Sequence, residues 1–93
     1  MLAAHLTALY RRCRDIGLAR NKSDFSRVLL GRSSHYMRLV EQRGGWAPAS
    51  AGDRLRARLL RLAARCPVGL RREVEAIIAD LDAATDLGQM FRR

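Results

Sequence analysis

The stretch Lys22-Ser-Asp-Phe25-Ser26-Arg27-Val28-Leu29-Leu30-Gly31-Arg32-Ser33-Ser34-His35-Tyr36-Met37-Arg38-Leu39-Val40-Glu41-Gln42-Arg43-Gly-Gly-Trp46-Ala-Pro48-Ala-Ser50 decides the fold. It reads as a short helix that Leu30-Gly31 ends, a second helix that Ser33 or Ser34 caps, and a Gly/Pro loop over 44–48. Asn21 precedes the first of these helices as its N-cap, with Asp24 three residues on as the acidic partner of a capping box. Phe25, Val28 and Leu29 share its inward face, and Met37 and Val40 supply the buried stripe of the next helix. Two short helices joined by a glycine turn spell a helix-turn-helix over about residues 21–43.

The flanks read as helices too. Leu2, Leu6, Leu9, Cys13 and Ile16 recur at steps of four and three, which predicts a helix from about Leu2 to Ile16 with Gly17 as its C-cap. Beyond the loop, Ser50 or Asp53 caps a helix carrying Leu55, Leu59, Leu62, Ala63 and Cys66. Pro67 then serves as an early residue of a last helix bearing Leu70, Val74, Ile77, Ile78, Leu81 and Ala84. No alternating apolar/polar run appears. The chain therefore reads as one domain over 1–93, an all-α bundle of five or six helices.

Charge is uneven. Residues 1–66 hold 14 Arg/Lys against 4 Asp/Glu, whereas residues 67–93 hold 4 against 5. Seventeen of the 18 basic residues are Arg, which suits bidentate contacts to phosphate and guanine. A GC-rich genome would explain Arg over Lys, but not why the excess stops near Cys66.

A helix that approaches base edges needs small or polar residues in its first turn, and Ser33, Ser34 and His35 qualify. A Ser cap leaves free N–H groups and a positive dipole end near phosphate. Arg38, one turn on, has the reach for a guanine edge or a phosphate. Arg27 and Arg43 flank the motif and would clamp the two strands. Tyr36 either packs inward or meets a sugar or a thymine methyl. Trp46 is read either as a lid over the core or as a contact to a backbone or partner. The same polar residues would also serve as the solvated face of a plain bundle.

Lys22 to Ser50 resembles the repressor/Cro-like helix-turn-helix family of DNA-binding regulators. That family's pattern runs from a Gln in the second helix through an apolar-Ala pair and Leu-Gly-x-Ser to an apolar position, a Glu and a Pro-Ser. The counterparts are Lys22, Phe25-Ser26, Leu30-Gly31-Arg32-Ser33, Met37, Val40-Glu41 and Pro48-Ala-Ser50. Gly17-Leu18 is similar to the pair that often ends the family's first helix. The chain departs at Lys22, at Arg32 where an apolar residue is usual, and by a small insertion at Ala19-Arg20. The resemblance implies a small bacterial transcriptional regulator that sets the helix Ser34–Arg43 in the major groove. Lys22 and Arg32 would then lie on the phosphate backbone.

Other classes have little to stand on. His5 and His35 lie far apart, Asp80 and Asp82 point apart on one helix, and no phosphate-binding or dinucleotide motif occurs. The chain is expected to be no enzyme and to need no cofactor or metal. Cys13 and Cys66 read as small buried thiols. Without a signal peptide or an 18-residue apolar run, a cytoplasmic, nucleoid-associated protein is expected. The near-neutral last helix (about 67–90) is the candidate homodimer seam through Val74, Ile77, Ile78, Leu81 and Ala84. Two further readings remain: a protein-interaction module built on a repurposed helix-turn-helix, and a nonspecific nucleic-acid-binding protein.

Overall fold

A computed structural model describes the backbone of residues 1–90 and the side chains of residues 1–85. The architecture is all-α, with no strand among the described residues. Helix α1 spans Ala3–Asp15. Helix α2 begins at Lys22–Asp24 and continues as a π-helical segment, Phe25–Leu29. Helix α3 spans Tyr36–Arg43, α4 Ala49–Arg65 and α5 Val68–Met90. Helix α3 packs on α1 and α2, α4 on α5 and the π segment, and α5 on α1 as well as α4.

Helix α1 ends in a Schellman motif. Gly17 takes φ +83°, Leu18 N–H donates to Cys13 O at 2.8 Å, and Gly17 N–H to Arg14 O at 3.1 Å. Asn21 Oδ1 accepts from Asp24 N–H at 2.8 Å, as its position before the helix predicts. The Asp24 carboxylate reaches back one residue further than a capping box requires, to Arg20 N–H at 3.0 Å. Gly31 closes the segment at φ +62°.

The core joins all five helices. Leu6, Leu9 and Cys13 meet Phe25, Leu29, Leu30 and Met37, and these meet Leu55, Leu59, Val74, Ile77 and Leu81, all at most 3% exposed. Tyr10 and Phe25 form an edge-to-face pair with ring centroids 5.5 Å apart. Val40 packs against this cluster half-buried. Burial raises the Cys13 thiol to about 12, against a smaller opposing pull from Arg12. Asp80 and Asp82 do point apart, Asp80 to Arg12 on α1 and Asp82 to Arg56 on α4.

Several expectations are corrected. Val28 is 42% exposed rather than inward, because the wider π turn rotates it off the face shared by Phe25 and Leu29. Helix α3 starts at Tyr36, and neither Ser33 nor Ser34 caps it by side chain. Helix α4 starts at Ala49 behind an extended Pro48, which places Ser50 and Asp53 inside the helix rather than at its cap. Pro67 stands just before α5, because the ring holds Cys66 extended at ψ 156°. Cys66 is only half-buried, with its thiol donating to Leu62 O. Trp46 is 45% exposed and is no lid; its backbone bridges to Leu2.

The dimer seam is corrected as well. Val74, Ile77, Ile78, Leu81 and Ala84 are 0–8% exposed within one chain. Helix α5 packs on two neighbours, so it needs an apolar stripe wider than one partner would cover. The monomer core consumes that stripe.

Candidate nucleic-acid interface

Ser26 sets the position of α3. Its hydroxyl is fully buried, donates to Lys22 O at 2.8 Å and accepts from Met37 N–H at 3.1 Å. One of the orphan N–H groups at the start of α3 is thus capped from the neighbouring helix rather than by a local serine. Ser33 contributes its backbone carbonyl instead, accepting from Tyr36 N–H at 3.1 Å. Ser26→Ala should strand the buried Met37 N–H and cost about 1–3 kcal/mol. Urea unfolding checks this, and an unchanged midpoint would deny Ser26 the capping role.

A second tie holds the other end of α3. Lys22 Nζ lies 2.8 Å from Glu41 Oε1, and the Thr7 hydroxyl donates to Glu41 Oε2 at 3.0 Å. Burial pushes the Glu41 pKa up. The hydrogen bonds from Lys22 and Thr7, with the charges of Lys22 and Arg11, outweigh it and hold the carboxyl below the ordinary glutamate value. The contribution of this tie is therefore present above the ordinary glutamate pKa and is lost as pH falls through the folded value. Lys22, half-exposed, can reach a phosphate only by sharing its ammonium with Glu41.

With Met37 inward and Glu41 tied down, one face of α3 is left free. His35, Arg38, Leu39 and Gln42 are all exposed, at the spacing i, i+3, i+4, i+7, and Arg43 is exposed in the last turn. Ser33 is exposed beside them and Ser34 is half-buried. Arg32 is held at the turn: Nη2 donates to Ser50 Oγ at 2.9 Å, and the guanidinium lies over the Tyr36 ring at 5.6 Å. Tyr36 is thus half-buried under Arg32. Arg27 is exposed on the π segment, 3.9 Å from Asp24.

Sequence reasoning missed Leu39, Gln42 and Ser26. Leu39 follows from His35, and Gln42 from Arg38, by i, i+4 helical spacing once Met37 is known to face inward. Ser26 carried no such signal, because its partner lies 11 residues away. Among the described residues no group of three or more His, Cys, Asp or Glu side chains is placed to hold a metal, and no helix is long and apolar enough to cross a membrane.

No family model, curated protein or solved structure matches this chain.

Proposed function

We propose that the chain binds double-stranded DNA in a sequence-dependent way, as a small transcriptional regulator, with α3 lying in the major groove. The observation that carries this reading is the free stripe His35, Arg38, Leu39, Gln42 on a helix fixed from behind by Ser26 and Glu41. A helix about 10–12 Å across fits a major groove about 12 Å wide. Residues 25–52 contain one acid, Glu41, and Lys22 neutralises it, so no free carboxylate there opposes the phosphates. In this reading Arg38 takes a guanine edge, Gln42 an adenine edge and Leu39 a thymine methyl. Arg32 and Arg43 lie on the backbone and set the register.

The test uses a duplex recovered by selection from a randomised pool. Arg38→Ala should weaken binding to the recovered duplex more than to unrelated DNA, with about 1–3 kcal/mol of discrimination lost. Equal loss on both duplexes would remove Arg38 from the base-reading set.

One observation favours a second reading. Leu39 and Trp46, 47% and 45% exposed, are apolar surface of the kind a protein partner covers. A protein-interaction module would show no useful affinity for any duplex at moderate salt. A nonspecific nucleic-acid binder would retain duplexes of every sequence equally.

A further inference from the structure

We propose that a groove between the π segment and α4, lined by Arg27, Arg54, Arg58 and Arg61, is a second phosphate-binding surface that holds the backbone of a nucleic-acid strand. The groove measures about 290 Å³, and its remaining walls are Val28, Leu29, Gly31 and Ala57. This deepens the DNA reading above and rests on it.

Four arginines in one small groove repel one another, and they sit here without acids. No carboxylate lines the groove, and the nearest pairing is the 3.9 Å contact of Arg27 with Asp24. Two arginines elsewhere are neutralised across helices: Arg12 by Asp80 and Arg56 by Asp82. Arg56 is on the same helix, so α4 divides into a side that faces the acids of α5 and a side that faces none. An unpaired cationic concavity attracts an anion.

Two of the guanidiniums are already held in place. Arg54 Nη1 donates to Gly31 O at 2.9 Å, and Arg58 Nε donates to Val28 O at 3.1 Å. These bonds satisfy carbonyls at the C-terminal end of the π segment, and each uses one of the five N–H donors of its guanidinium. The rest remain free for an oxyanion. Immobilising these long side chains beforehand lowers the entropy cost of binding. Arg61 makes no hydrogen bond or ion pair among the described residues and is exposed.

The chemistry selects a backbone rather than a base. No aromatic ring lines the groove, so nothing there stacks a base. Arg54, Arg58 and Arg61 stand at i, i+4, i+7, a rise of about 10 Å along the helix. Three phosphate-to-phosphate steps along one DNA strand, linking four successive phosphates, advance by a similar distance, about 3.4 Å each along the duplex axis. Gly31, which Arg54 binds, lies two residues before Ser33, so the groove adjoins the turn that leads into α3.

Arg61→Gln and the double variant Arg27→Gln/Arg61→Gln test this in the full chain. Neither residue makes a hydrogen bond that the fold needs, and unchanged thermal melts would verify it. Binding is measured across a salt series on the selected duplex and on an unrelated duplex, with Arg72→Gln on α5 as the control. The slope of log K against log salt should fall by about 0.9 for the single variant and about 1.8 for the double. The fall should be alike on both duplexes, with the preference between them kept and Arg72→Gln without effect. An unchanged slope in the double variant, with preference retained, overturns the groove and leaves the role of α3 standing. An equal fall in Arg72→Gln overturns it too, because the effect would then be one of overall charge. Wild-type chain that binds an acidic polypeptide at this groove but no duplex overturns both readings.

Discussion

Phe25→Ala should lose about 3–5 kcal/mol of folding stability, a large share of the roughly 5–14 kcal/mol that a domain of this size possesses. Phe25 is fully buried at the junction of α1, the π segment and α3. Truncation removes its apolar area from the core and leaves a cavity that close-packed neighbours refill only in part. It also removes the edge-to-face contact with Tyr10, an increment of about 0.5–1.5 kcal/mol beyond burial. The damage should spread to the interface, because Phe25 and Ser26 are consecutive and Ser26 positions α3. Thermal and urea unfolding followed by circular dichroism measure it. A loss under about 1 kcal/mol would show that the junction is not the centre of the core.

Ile77→Asp should abolish cooperative folding near neutral pH. Ile77 is 1% exposed and sits between Val74 and Leu81 on the face of α5 that packs on α1 and α4. An ionised carboxylate there would be buried without a partner, at a cost of several kcal/mol on top of the lost apolar contact. The same substitution separates two accounts of α5. On a dimer seam it would yield a folded monomer of half the mass, visible by light scattering. In the monomer core it yields a chain without a melting transition. The second outcome is expected, and a folded, half-mass species would contradict the present packing.

Much of this architecture is legible in the sequence where the controlling interaction is local. Gly17-Leu18 closes α1, Asn21 caps α2 and Gly31 ends the π segment because each rule operates within a few residues. The stripe Leu6, Leu9, Cys13 was equally readable, since helical periodicity needs no knowledge of partners. What escaped was non-local. The cap of α3 comes from Ser26 in another helix. The exposure of Val28 follows from a π turn that residue spacing does not announce. The apolar width of α5 reads in sequence as a seam for a second copy, whereas it reflects two neighbours, α1 and α4, in the same chain.

The candidate interface divides along the same line. Arg38 and His35 lie on the free face of α3, where the motif reading put them, and Arg43 is exposed in its last turn. Lys22 and Arg32 read as outward-reaching cations, yet each is engaged within the protein, with Glu41 and with Ser50 and Tyr36. A linear sequence shows charge but not its partner, so paired and unpaired arginines look alike until the helices are assembled. The arginines of α4 show this most clearly. Arg56 is neutralised by Asp82, while Arg58, two residues on, faces a groove without acids.

The most direct measurement of the central claim is equilibrium binding of the full chain at about 0.15 M salt to a duplex selected from a randomised pool and to its scrambled counterpart. A single base-reading residue discriminates by about 1–3 kcal/mol, so one helix with Arg38, Leu39 and Gln42 exposed should prefer the selected duplex at least about tenfold. Affinity should also fall linearly in log K as log salt rises. Equal affinity for both duplexes, or no binding to either, would contradict the assignment of α3 to a DNA groove.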